Sequence, residues 1–397
     1  MNQKPIQEDK NQDYPPMNTL QFSSSYSSFE TNTNPYVSYL NSRAKSHPKD
    51  SSFPEQIPTI IDMETGDPDD YFNVIELLCH PRICVKCITV TPGTKEQISF
   101  VRCFLDEIII ECQQYVQNVD HNNDMISIIE RLRNIKIGAY KPDHNKNCLG
   151  GFFTKMYPNS TDEKYLKQGS DDFGYNLMHQ CWKEYGNQLM FVTGAPLSNL
   201  GTFIEKYSHE MNEQNRIGLC VIQGGFAGDN VTPHQFRLSK FAGKTKVSTY
   251  NFGGNIKAAK TVLNCPFIDK RLLVSKNVCH GVVYGKDRHM QLKERLTQLE
   301  YARTTFTSQQ HLSFIGLSLI FKGMQKYLEK NQDGKKFHDV LAGCVSIEPN
   351  ICIFKRVEVI EEKNQWGSKE STNSNTFVSI AANLDSFFDV MMMRGYL

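Results

Sequence analysis

Ile57-Pro58-Thr59-Ile60-Ile61-Asp62-Met63-Glu64-Thr65-Gly66-Asp67-Pro68-Asp69-Asp70 runs from a short aliphatic stretch directly into a crowd of acids. Its first half, Ile57 to Met63, reads as a buried strand. Asp67 is a good N-cap, Pro68 suits the first helical position, and Asp69 and Asp70 complement the positive end of a helix dipole. The helix so opened, Asp69 to His80, places Phe72, Ile75, Leu78 and Cys79 on one face. Val85 to Thr91 follows as the next strand, before a turn at Pro92-Gly93. Strand, helix and strand make a βαβ unit, and the same texture continues outward from it.

Helix Glu96 to Cys112, strand Ile135 to Tyr140, strand Leu189 to Thr193, helix Leu197 to Tyr207, strand Gly218 to Gly224 and helix Asn255 to Leu263 keep up the alternation. This predicts an α/β fold with a mainly parallel sheet. Beyond Leu273 the pattern loosens into helices at Gln291 to Tyr301 and Ser313 to Glu329, with another opening near Asp339. The chain is expected to end in a hairpin with arms Cys352 to Ile360 and Thr376 to Ala381, joined through Trp366-Gly367.

Residues 1–55 are rich in Ser, Asn, Pro and Tyr and poor in aliphatics, so they cannot bury enough to offset ordering entropy and are read as a disordered tail. The remainder, 56–397, is read as one large catalytic domain. A chain of 397 residues needs no disulfide support for its core, and the 12 cysteines are scattered through apolar runs. The one C-x-x-C, Cys84 to Cys87, lies in a strand where positions three apart should face opposite sides. Buried free thiols in a reducing compartment are the expectation.

A formal charge of +1 with no basic block leaves nucleic-acid binding without an electrostatic footprint. Met1-Asn2-Gln3-Lys4-Pro5 lacks the apolar core of a signal peptide. The longest apolar stretch, Phe314 to Phe321, falls far short of the ~20 residues that span a bilayer, so a cytoplasmic protein without a membrane anchor is expected. Self-association into a homo-oligomer is left open.

Asp62, Glu64, Asp67, Asp69 and Asp70 crowd the carboxyl end of the first strand, where open α/β sheets bind their ligands. Capping accounts for Asp67, Asp69 and Asp70 but not for Asp62 and Glu64, which point the same way from alternate strand positions. Two carboxylates ~4 Å apart repel by roughly 4 kcal/mol at an effective dielectric of about 20. A converging group therefore needs a shared proton or a cation, and a hard divalent ion with oxygen ligands fits best.

The stretch resembles the Asp-x-Asp-x-Gly-x-Asp-Asp signature of the inosine-uridine preferring nucleoside hydrolase family. Further segments are similar in the same order: Ile88-Thr89-Val90-Thr91-Pro92-Gly93, Val192-Thr193-Gly194-Ala195-Pro196-Leu197-Ser198-Asn199-Leu200, Gly224-Gly225-Phe226, Asn230-Val231-Thr232-Pro233, Asn251 ahead of Ala258-Ala259, and His338-Asp339 with Leu341-Ala342. The likeness spans roughly Pro58 to Asn350. It implies that family's fold, a Rossmann-like, mainly parallel open sheet flanked by helices. It also implies Ca²⁺-dependent hydrolysis of the N-glycosidic bond of a nucleoside or related riboside. Glu64, Asp70, the Thr193 carbonyl and Asp339 would hold the ion. Glu64 would act as general base and His338 would protonate the leaving base. Asp69, Asn230 and Asn251 would contact the sugar.

Several positions depart from the family pattern. Glu64 stands where an Asp is expected, and two residues rather than one separate Gly66 from Asp69. At substrate-binding positions Thr94 replaces an asparagine, and Thr249 replaces a glutamate that helps hold the sugar hydroxyls. These changes lead to the expectation of a riboside whose 5′ end is modified or poorly contacted. Asp62-x-Glu64-Thr65 is also similar to the nucleophile loop of Mg²⁺-dependent haloacid dehalogenase-type phosphatases, but Gly228-Asp229-Asn230-Val231-Thr232-Pro233 lacks the closing Asp that class needs. A non-catalytic riboside or Ca²⁺ binding protein on the same scaffold is the stronger rival.

Overall fold

Ile57–Met63 forms the first strand, β1, buried along almost its whole length as an unbroken aliphatic run requires. The computed structural model describes residues 56–117, 123–144 and 146–397, so the expected tail lies outside the described residues. After β1 come helix α1 (Pro68–Cys79), β2 (Ile83–Val90), helix α2 (Lys95–Gln117), β3 (Lys136–Ala139), β4 (Asp172–Phe173) and helix α3 (Gly174–Tyr185). The chain then crosses to β5 (Met190–Thr193), helix α4 (Ser198–Tyr207), β6 (Ile217–Gln223), the short β7 (Lys246–Val247), helix α5 (Tyr250–Gly254), helix α6 (Ile256–Asn264) and β8 (Ile268–Val274). Helix α7 (Lys276–Cys279), β9 (Val283–Tyr284), helices α8 (Lys286–Ala302) and α9 (Ser308–Leu328), β10 (Lys335–Lys336) and helix α10 (Asp339–Ile347) lead to the closing strands β11 (Cys352–Glu362), β12 (Gln365–Glu370) and β13 (Thr376–Ala382).

The main sheet has 11 strands in the order β4-β3-β2-β1-β5-β6-β8-β13-β11-β12-β7. From β4 to β13 neighbours run parallel, as the alternation of strands and helices predicts. The order reverses between β1 and β5: one half of the chain winds outward to β4, the other outward through β6 and β8. A reversal of this kind opens a crevice at the carboxyl ends of the two central strands. Two separate apolar cores cover the two faces of the sheet, making a single α/β domain. Among the described residues no helix is long and apolar enough to cross a membrane.

Three expectations need correction. Trp366-Gly367 is not the turn of a terminal hairpin but part of β12, an extra strand paired with β11 on the side away from β13. The tight turn is Lys363-Asn364, whose φ values of 51° and 64° suit a two-residue hairpin. Strand β8 was not expected, because Asp269-Lys270-Arg271 interrupts its aliphatic run. Arg271 is buried all the same, its guanidinium spent on the carbonyls of Val262 and Cys265. Finally, the register of β1 against β2 shifts at Thr59/Ile60, skipping Lys86. Val85 and Ile88 therefore share one core while Cys87 joins the other, which breaks the alternation assumed for Cys84 and Cys87. The cysteines are free thiols, most of them buried.

The helix expected from Ser313 starts earlier, at Ser308, with Thr307 and Gln310 forming a capping box. The turn at Pro92-Gly93 is as expected. Gly93 has φ of 85°, and a Cβ there would lie 2.5 Å from that of Ala139, so only glycine fits.

Candidate active site

The acids of the first turn divide their oxygens between structure and an open purpose. Asp67 caps α1 by accepting from the Asp69 amide at 3.2 Å, and Asp70 Oδ2 accepts from the Asp67 amide at 3.2 Å. That reciprocal pair is a capping box and fixes the loop. Asp69 Oδ2 reaches across the fold to accept the backbone N–H groups of both His338 and Asp339, each at 2.7 Å. Segments 269 residues apart are thereby joined at the N-terminus of α10, whose dipole favours the charge. What remains is Asp69 Oδ1, Asp70 Oδ1 and Asp339 Oδ1, all buried and without a hydrogen-bond partner. Buried polar atoms are normally paired, so the bare oxygens of Asp69, Asp70 and Asp339 make this corner a candidate ligand site. Asp339 also presses on the turn after β5: a Cβ on Gly194 would lie 2.5 Å from its Oδ1. Thr193 precedes that glycine at the end of β5.

The electrostatics agree. Burial, followed by the charges of Asp67 and Asp62, pushes the Glu64 carboxyl up to about 8. Burial pushes Asp69 up to about 6, against the pull of Lys335. Asp70 and Asp339 are raised well above the usual carboxylate range, by burial first and then by Asp339 acting on Asp70 and by Asp69 and Glu64 acting on Asp339. Lys335, 5% exposed, offers one compensating charge through its 2.8 Å ion pair with Asp67. Among the described residues no group of three or more His, Cys, Asp or Glu side chains is set, as it stands, to hold a metal ion. The donor chemistry nevertheless fits a hard cation: bare carboxylate oxygens, partly exposed Glu64 at the rim and the end of β5.

Asp62 belongs to the layer beneath. Its carboxylate accepts from Thr89 Oγ1 at 2.7 Å, Asn199 Nδ2 at 3.0 Å and Thr193 Oγ1 at 3.4 Å, tying together β1, β2, β5 and α4. Burial outweighs these bonds and pushes it up to about 7. Asp62 therefore braces the ends of the strands rather than joining the open group, although its alternate spacing from Glu64 suggested otherwise.

The sugar-side candidates are distributed unevenly. Asn251 Nδ2 is held by the Gly194 carbonyl at 3.1 Å and by the Gln223 carbonyl and Oε1 at 3.0 and 2.7 Å, which places it between the ends of β5 and β6. Thr249 is buried, with a hydroxyl that has no partner. Asn230 is exposed and donates to the Ser368 carbonyl of β12 at 2.6 Å, so its bond runs to the edge strands and not to the carboxylates. The residues between Thr232 and Thr249, with turns at His234–Phe236 and Ser239–Phe241, lengthen this connection.

Thr94 is occupied structurally. Its hydroxyl accepts from the Gln97 amide at 3.4 Å, while Gln97 Oε1 accepts from the amides of Gly93 and Thr94 at 2.9 Å. This is another capping box, and Thr94-x-x-Gln97 was its unread signal in the sequence. Thr94→Ala is therefore expected to cost about 1 kcal/mol of stability, measured by denaturant unfolding, with KM unchanged. A raised KM at full stability would return Thr94 to the substrate.

His338, at the N-cap of α10, has beside it a second histidine not foreseen from sequence. Its ring centroid lies 4.8 Å from that of His280, and His338 Nε2 and His280 Nδ1 are buried without partners. Burial, then Lys335 and Lys336, pushes His338 down to about 3, so the ring is neutral near pH 7 and offers an N–H rather than a stored proton. Tyr250 was also missed. It is 71% exposed, and Glu64 beside it is the main cause pushing its phenol up to about 12.

A parallel sheet whose order reverses between β1 and β5 is a fold that this chain shares with solved nucleoside hydrolases. A plant nucleoside hydrolase superposes with a TM-score of 0.52 at 16% identity, covering 85% of this chain and 98% of its own. A purine-preferring ribonucleoside hydrolase from Gardnerella vaginalis gives 0.51 at 14% identity, covering 85% and 97%. In sequence, a protein of Aquifex aeolicus described only as uncharacterized is 22% identical over 344 residues, 84% of this chain and 98% of its own length. The chain belongs to the inosine-uridine preferring nucleoside hydrolase family, which it matches over residues 59–389.

Proposed function

We propose that this chain hydrolyses the N-glycosidic bond of a ribonucleoside or related riboside to free base and sugar, in a calcium-dependent reaction. The supporting observation is the meeting of Asp69 with the His338 and Asp339 amides, which gathers the bare oxygens of Asp69, Asp70 and Asp339 at the switch point of the sheet. Glu64, Asp70, Asp339 and the Thr193 carbonyl would hold Ca²⁺, which when bound supplies Lewis acidity to a water and anchors the ribose diol.

The protein's own groups divide the remaining work. Glu64, partly exposed at the rim of the acidic group, takes the proton of the attacking water at its carboxylate. Asp69 Oδ1 accepts a ribose hydroxyl, since Oδ2 is already committed. Asn251, fixed by three bonds, orients the ring. Hydrolysis passes through an oxocarbenium-like state, and the surrounding carboxylates stabilise positive charge developing on the sugar. Neutral His338 steers the departing base by hydrogen bonding, while the proton from water ends on the base.

Reducing-sugar release from a nucleoside panel, with added calcium and with chelator, tests this. Activity lost on chelation and restored by calcium is expected. Activity indifferent to chelator removes the ion from the reaction, and ligand binding with no sugar release from any riboside favours a non-catalytic binding protein.

A further inference from the structure

The crevice changes sign along its length. Acids stand at the end of β1 and, through Asp339, against the turn after β5, but past β6, at the end of β8, the chain enters α7 with Lys276. Adjacent strands lie ~4.8 Å apart, so β5 and β8 are separated by roughly one sugar and its substituent. The Lys276 amide donates to the Gly225 carbonyl at 3.0 Å, and its ammonium lies 3.0 Å from the Ser248 carbonyl. Ser248 leads into Thr249, which occupies the N-cap position of α5 yet makes no capping bond. Thr249 is 5% exposed, and its Oγ1 has no hydrogen-bond partner. Asn251, two residues on, ties this corner to Gly194 and so to Asp339.

Thr249 stands where the family carries a glutamate that helps hold the sugar hydroxyls. Replacing that acid by a hydroxyl removes one negative charge, and the neighbouring ammonium adds a positive one. The nearby acid of the preceding loop, Asp229, does not restore it, being held by Arg237 at 3.5 Å and by the Gly243 amide at 2.6 Å. A buried hydroxyl without a partner beside a lysine is a site for an anionic oxygen.

We infer that Thr249 and Lys276 receive an anionic 5′ substituent, so that the preferred substrate is a ribonucleoside 5′-monophosphate rather than a plain nucleoside; this rests on the N-glycosidase reading above. The reaction is unchanged in kind. Water oxygen bonds to C1′, the C1′–N bond breaks with its electron pair going to the base nitrogen, and the proton released by water ends on the base. Free base and ribose 5-phosphate leave, and the phosphoester is untouched.

Base release from inosine and from inosine 5′-monophosphate, with calcium, tests the inference on the full chain. Wild type is expected to show kcat/KM at least about 10-fold higher for the monophosphate. Lys276→Gln is expected to lower that value roughly 10- to 100-fold, the worth of a hydrogen bond to a charged group, and to change the nucleoside value less than about 2-fold. Lys276→Arg should retain most of the preference. Thr249→Glu should reverse it. A wild type that favours inosine, or a Lys276→Gln variant that loses both substrates equally, overturns the inference. If neither substrate releases base, the glycosidase reading fails separately, and calorimetric titration with ribose 5-phosphate against ribose decides the anion site: Lys276-dependent preference for the phosphate upholds it, and equal binding or none overturns it.

Discussion

Asp339→Ala is expected to reduce sugar release by roughly 10³-fold, the scale on which a preorganised electrostatic partner of the transition state is missed. Asp339 carries one of the bare buried oxygens, touches Gly194 beside Thr193, and supplies the backbone amide that fixes Asp69. Only its side chain is lost in the variant, so Asp69 stays anchored and the sugar contact survives. The stability measurement then separates catalysis from folding. Asp69 and Glu64 both repel the Asp339 carboxylate, so deleting it relieves crowding among buried acids. In chelator the variant should therefore unfold at a temperature no lower than wild type, and it should lose the gain that calcium gives the wild type. Sugar release within about 10-fold of wild type would show that Asp339 takes no part. Inactivity accompanied by a collapse in stability would reduce it to a scaffold residue.

Most of the central architecture was legible because the evidence for it is local. The aliphatic run before Asp62 and the N-cap, proline and acids after it identify β1 and α1 with few alternatives, and later strands repeat the logic. What escaped was stabilised from afar. Strand β8 carries three consecutive charged residues, and only the carbonyls of Val262 and Cys265 make a buried Arg271 tolerable. The site shows the same division. The family resemblance singled out Glu64, Asp70 and Asp339, but that Asp69 would turn one oxygen to the start of α10 depends on a contact across 269 residues. Lys335, His280 and Tyr250 carry no spacing signal, since each matters through neighbours on other elements. Thr94 and Gln97 had a readable signal, a capping box, which the search for a sugar ligand obscured.

Calcium is expected to raise the unfolding temperature more at pH 8 than at pH 6, by roughly 5 °C against less than about 2 °C, as ligand-linked stabilisation of a few kcal/mol would give. The sign follows from the carboxyls. Glu64, Asp62 and Asp69 are raised to about 8, about 7 and about 6. An acid raised in the folded state keeps a proton that the unfolded chain has released, so its contribution is greatest at low pH and is lost as pH rises through the folded value. Without the ion, stability should fall between pH 6 and pH 8. The histidines act oppositely: His80, His280 and His338 are pushed down to about 3, about 2 and about 3, so their burial becomes costly as pH drops below the ordinary value near 6.5. Those rings would blur a single stability curve. Taking the difference between calcium-loaded and chelated samples at each pH largely removes contributions common to both. What remains is the competition between protons and the cation for the same oxygens, which protons lose as pH rises. A calcium-induced shift that stays flat from pH 6 to pH 8, or that shrinks toward pH 8, would mean that the gathered carboxylates are not where the ion binds.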